Sequence, residues 1–79
     1  MDHRIAEAFG RVLRDARIEA GLSQEKLAFE SDIDRTFVSM LERGVRQPSL
    51  TTVFQLCDTL KISPEKVVAL TTKEIGEAR

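Results

Sequence analysis

The chain has 79 residues, 42% of them hydrophobic, and its 12 Lys+Arg against 13 Asp+Glu leave a formal net charge of -1. A chain this short buries roughly 60% of its unfolded surface, which supports one small core and excludes a second, and the near-neutral balance excludes anion binding by overall basicity, so any such function must rest on local placement. A single cysteine (Cys57) and a single histidine (His3) exclude an intramolecular disulfide and a zinc tetrad; no apolar run approaches the roughly 20 residues of a membrane span, and the opening MDHRIAEAFG lacks the apolar core of a secretion signal, so a reducing, cytoplasmic location is expected.

Helix one is expected over about residues 3–19, because Ile5, Phe9, Val12, Leu13 and Ala16 recur on one helical face while Arg4, Arg11, Arg14 and Asp15 read as its solvated side. Gly21 ends it at the left-handed position that follows a last turn. Ser23 has the chemistry of an N-cap for helix two, about 23–31, with Leu27 and Ala28 turned inward. The connection Asp32-Ile33-Asp34 follows, Ile33 anchoring the turn and Asp34 capping helix three, about 34–43, which Gly44 stops.

Helix three has two different sides. At about 100° per residue, Arg35, Thr36, Ser39 and Arg43 fall in one sector, and Phe37, Val38 and Leu41 fall opposite. It reads as a helix with a core face and a probe face. Ser49 caps helix four, about 49–60, whose core spacing is carried by Leu50, Val53, Phe54, Cys57 and Leu60, with Cys57 a small buried apolar residue. Ser63-Pro64 starts helix five, about 63–71, with Val67, Val68 and Leu70. The remaining 72–79 is polar apart from Ile75 and is expected to fray unless a partner holds it. The expected architecture is all-α: one compact domain of five helices.

Two short helices joined by a three- or four-residue turn form a helix-turn-helix, whose second helix enters the DNA major groove. The runs GLSQEKLA, DRTFVSMLERG and RQPSL resemble, in order and spacing over about residues 9–70, the Cro/C1-type (XRE) helix-turn-helix family of phage-repressor fold. DRTFVSMLERGVRQPSL looks most like the controller proteins of restriction-modification systems, small dimeric transcription regulators.

The resemblance assigns roles to matching positions. Gln24 matches a glutamine that bonds a DNA phosphate from the start of helix two, where free backbone N–H groups also face the anion. Arg35 and Thr36 match base-facing positions; a guanidinium can donate twice to guanine, and a threonine methyl can pack on thymine. The alternative for Arg35 is a surface pair with Asp32 or Asp34. Ser39, one turn on, is short enough for base edges or phosphate, whereas Met40 and Phe37 are ambiguous, Phe37 reading better as partly buried core. Arg43, Arg46 and Gln47 match phosphate-gripping positions, and Ser49 offers a hydroxyl and free amides to another phosphate; the alternative is that they are ordinary soluble turn residues. Glu42 would repel DNA unless turned inward, and the resemblance pairs it with Arg17 in a structural salt bridge. Asp32 stands where the family often has glycine, a position Asp tolerates better than most residues.

One recognition helix reads only a few base pairs, so a homodimer on a palindromic operator in double-stranded DNA is expected. Val67, Val68, Leu70 and Ile75 are the candidate interface, the alternative being that Val67 and Leu70 close the monomer core. A sequence-specific transcription regulator, repressor or activator, is the leading reading, and an antitoxin-like interaction module with secondary DNA binding is its rival. No constellation for acid–base or nucleophilic catalysis is visible, and neither a cofactor, a metal nor a small-molecule ligand is expected.

Overall fold

Most helices in this protein begin where a short polar side chain closes the first turn. The computed structural model describes residues 3–77, which form α1 (His3–Glu19), α2 (Gln24–Ser31), α3 (Arg35–Glu42), α4 (Leu50–Leu60) and α5 (Pro64–Glu77), with no strand among them. The hydroxyls of Ser23, Ser49 and Ser63 accept the backbone N–H of Lys26, Thr52 and Lys66 at 3.0, 3.1 and 3.1 Å, and Asp34 Oδ1 accepts that of Thr36 at 2.7 Å. Caps of this kind stabilise a helix by about 1 kcal/mol each, which matters for α2 and α3 at two turns apiece.

The helix ends are equally local. After α3, Gly44 sits at φ 74, and the N–H groups of Gly44 and Val45 return to the carbonyls of Leu41 and Met40, both at 3.1 Å. Asp32 closes α2 at φ 57, ψ 46, with its own N–H on Phe29 and that of Ile33 on Ala28. The left-handed tolerance expected of this aspartate is thus in use.

Leu27, Val38, Leu41 and Leu56 form the fully buried centre, with Phe9, Val12, Leu13, Ala28, Val53, Cys57 and Val67 around them and Ile33, Phe37 and Leu60 packed at the edge. Burial also raises the Cys57 thiol pKa, keeping it a neutral core residue. α1 runs behind α3 and α5, and α2 sits against α3 and α4, so the helix-turn-helix is held from behind on both of its helices.

Three expectations are corrected. Ile5 is 45% exposed: the buried stripe of α1 is Ala6, Phe9, Gly10 and Leu13, flanked by Ala8 and Val12, and the first turn overhangs the core. Leu50 and Phe54 are exposed as well, because α4 is rotated to bury Val53, Leu56 and Cys57, leaving those two at the rim of its apolar sector. Finally, the polar stretch from Thr72 is no loose tail: α5 continues to Glu77 along α1. Thr71 is buried, Arg11 Nε meets Glu74 Oε1 at 2.6 Å, and Lys73 pairs with Glu77 at 3.8 Å. Ala78 and Arg79 lie outside the described residues.

Candidate nucleic-acid interface

α3 turns Val38 and Leu41 into the core at 0% exposure, which leaves Arg35 and Thr36 exposed and Ser39 and Met40 half-buried on the solvent side. The Asp34 carboxylate is occupied by the N-cap. Arg35 forms no ion pair with it or with Asp32 among the described residues, so the guanidinium stands open at the first turn of the helix. Arg43 and Arg46 are exposed at the end of α3 and in the following loop.

Glu42 points the other way, with only 3% of its side chain exposed. Arg17 Nε donates to Glu42 Oε2 at 2.6 Å and Arg17 Nη2 to Glu42 Oε1 at 3.0 Å, while Nη1 donates to the carbonyl of Leu22 at 2.9 Å. Hydrogen bonding to Glu42, opposed by partial burial and aided by the pair's attraction, raises the Arg17 pKa further above its already high value. Arg17 therefore stays cationic in the folded protein. The pair's effect on the surface is to remove one carboxylate from beside Arg43 and Arg46.

Gln24 is the first residue of α2, and its Nε2 donates to Glu42 Oε1 at 3.0 Å. The start of α2 and the end of α3 are thus tied through one carboxylate, a bond that neither periodicity nor motif matching exposed. Two other residues expected to meet phosphates have neighbours within the protein. The Ser49 hydroxyl accepts the Thr52 N–H and donates to Thr52 Oγ1 at 3.1 Å, leaving backbone amides as this residue's available donors. Gln47 is half-buried and lines a groove with Pro48 and Ile5.

Two glycines determine how closely α3 approaches its support. A Cβ on Gly10 would lie 2.5 Å from the Leu41 carbonyl oxygen and 2.6 Å from that of Glu42. A Cβ on Gly44 would lie 2.8 Å from Glu7 Cα, in addition to the strain of its positive φ. Gly10 was visible in the sequence as an isolated glycine within a strong helical pattern, but Gly76 is another, with open space around it, so the pattern alone does not mark the close approach.

The four residues expected at a subunit interface are divided by the fold. Val67 is only 5% exposed and belongs to the core, which removes it from that set. Val68 and Leu70 are exposed, and Val68 and half-buried Ile75 line the groove between α1 and α5. A second apolar surface was missed: Leu50 at 75% and Phe54 at 58% exposure, one turn apart on α4. Phe29 is also exposed on α2, and nothing in the fold accounts for it. Among the described residues there is no group of side chains suited to hold a metal ion, and no helix is long and apolar enough to cross a membrane.

The family profile described as "Helix-turn-helix" matches residues 13–67, the span from the middle of α1 into α5. Control protein C.BamHI of Bacillus amyloliquefaciens is 38% identical over 73 residues, covering 91% of this chain and 90% of that protein. The restriction-modification controller protein C.AhdI of Aeromonas hydrophila superposes with a TM-score of 0.77 at 44% identity, over 78% of this chain and 94% of that one. The controller protein C.Esp1396I, solved as a tetramer with its natural 35-base-pair operator, superposes with a TM-score of 0.80 at 30% identity, over 90% and 93% of the two chains.

Proposed function

The chain belongs to the Cro/C1-type helix-turn-helix family of transcription regulators, and from that premise we propose that it binds a palindromic operator as a homodimer, in the manner of a restriction-modification controller acting in the cytoplasm. The observation that carries this reading is the outer side of α3: Arg35, open at the first turn, beside Thr36 and Ser39, on a helix whose other side is locked into the core. Arg35 and Thr36 read base edges, Ser39 lets the helix approach, and Arg43, Arg46 and the amides at the starts of α2 and α4 hold phosphates. Inward burial of Glu42 supports this assignment, since it leaves the phosphate-facing side locally positive on a chain of net charge -1.

The roles separate experimentally. Arg35→Ala should lose about 1–3 kcal/mol of preference at particular base pairs of a selected operator. Arg43→Ala and Arg46→Ala should instead weaken binding to all duplexes and lower the magnitude of the salt slope by about 1 each. Titrations of operator and random duplexes at several salt concentrations measure both, and equal wild-type affinity for the two DNAs at physiological salt overturns the reading.

For the second subunit, the α4 face now supports an interface better than Val67 does. Leu50 and Phe54 expose large apolar side chains, and Asp58 and Lys61 lie beside Phe54 with opposite charges, a pattern that two copies can satisfy reciprocally about a twofold axis. Phe54→Glu should give a folded monomer in sedimentation and cut operator affinity at least about tenfold, the equivalent of roughly 1.4 kcal/mol. An unchanged dimer would move the interface to the Val68, Leu70 and Ile75 side.

A further inference from the structure

The carboxylate of Glu42 carries more than its salt bridge. Oε2 takes Arg17 Nε, and Oε1 is shared between Arg17 Nη2 and the Gln24 amide nitrogen, both at 3.0 Å. Arg17 is itself held by the Leu22 carbonyl, so Glu42 is fixed from behind by a guanidinium with three engaged nitrogens. Gln24 is half-buried at the first position of α2, and Ser23 Oγ is taken by the Lys26 N–H. The backbone N–H groups of the first turn at Gln24 and Glu25 have no partner within the helix.

We propose that Glu42 is a positioning residue for DNA binding: by accepting one N–H of the Gln24 carboxamide, it fixes the plane of that amide so that the second N–H is presented, beside the first-turn backbone amides of α2, to a DNA phosphate. The proposal rests on the DNA-binding reading above and adds a role for a residue that never touches DNA. A carboxamide has two donors on one nitrogen in a rigid plane, so committing one to Glu42 determines the direction of the other. A free glutamine loses rotamer freedom on contacting phosphate; one already held does not, a difference of up to about tenfold in affinity. Arg17 makes the device possible, because its charge offsets the carboxylate that would otherwise repel the same phosphate.

The test is a double-mutant cycle on a random-sequence duplex at low salt, chosen because phosphate contacts carry no sequence information. Gln24→Ala should weaken binding about fivefold in the wild-type background and less than about twofold in an Arg17→Met/Glu42→Leu background, which offers the amide no acceptor, both measured at a temperature where circular dichroism shows full folding. A purely structural Glu42 predicts the same loss in both backgrounds, and competition between Glu42 and phosphate predicts a larger loss once Glu42 is changed; either overturns the proposal. Absence of any duplex binding by the wild-type chain overturns the DNA-binding reading together with it.

A second measurement does not depend on the variants folding. Gln24, Gln47 and Gln55 are the only carboxamides in the sequence, which has no asparagine. Nitrogen–proton spectra of the wild type should therefore show three side-chain amide pairs, with one proton of the Gln24 pair slowed in exchange before DNA is added and its other proton shifted on addition. Three pairs exchanging alike, or a Gln24 pair unmoved by DNA, overturns the positioning role.

Discussion

Glu42→Ala is expected to lower the folding free energy by about 3–5 kcal/mol, the usual effect of removing one partner from a buried pair. At about 4–8 °C per kcal/mol for a domain of this size, the melting temperature should fall by at least about 12 °C. The magnitude follows from the exposures, 3% for the Glu42 side chain and 13% for Arg17. With the carboxylate gone, Arg17 keeps one bond to the Leu22 carbonyl, and two of its donors face a site too closed for full hydration. The Gln24 amide loses its acceptor in the same step. A comparison pair lies on the surface: Lys26–Glu30 at 3.1 Å, with side chains 56% and 42% exposed. Truncating Glu30 should change stability by less than about 1 kcal/mol. Replacing both buried partners, Arg17→Met with Glu42→Leu, should recover most of the loss, since a desolvated ion pair is worth little net against apolar groups of similar volume. Urea unfolding of the three variants beside the wild type decides it, and an unchanged midpoint for Glu42→Ala would show that the pair is not desolvated in solution.

What the sequence made legible was mostly what is decided within one turn of chain. Ser23, Asp34, Ser49 and Ser63 could be placed as helix starts because a cap bonds two or three residues ahead, whereas the left-handed closure at Asp32 was expected only through resemblance to a family that often has glycine there. The Arg17–Glu42 pair spans 25 residues and leaves no local trace; resemblance to a family supplied it, and the distances now give its physical content. The errors arose where one helix offers two nearly equivalent faces. On α4 the apolar residues 50, 53, 54, 56, 57 and 60 fill a sector wider than one neighbour can cover, and only the position of α2 and α5 decides that Leu56 goes in and Phe54 stays out. On α5 the polar composition of Thr72–Glu77 suggested fraying, yet its partners are themselves polar and lie on α1, as Arg11 and Glu74 illustrate. The outer face of α3 was readable in advance because its two sides differ in chemistry as well as in spacing.

Gly10→Ala should destabilise the protein by about 1–3 kcal/mol or more, although alanine is the better helix former by about 1 kcal/mol. The atoms in the way of the new methyl are the Leu41 and Glu42 carbonyl oxygens, at 2.5 and 2.6 Å, and the Glu42 carbonyl carbon, at 3.0 Å. These are backbone atoms of the last turn of α3, so no rotamer change can make room; α1 and α3 must separate. Separation lengthens the Arg17–Glu42 contact, which joins the same two helices, and tilts the face that carries Arg35 and Thr36. Operator preference should therefore fall more than affinity for random duplex, because base-edge contacts have stricter geometry than phosphate contacts. Gly76 supplies the opposite case within the same chain. It is also helical and exposed, and a Cβ there meets nothing within 4 Å. Gly76→Ala should accordingly raise stability by about 0.5–1 kcal/mol through helix propensity and a less flexible unfolded chain. Thermal unfolding of the two variants beside the wild type tests both signs at once. If Gly10→Ala melts at or above the wild type, the close approach that seats the recognition helix on α1 is absent in solution.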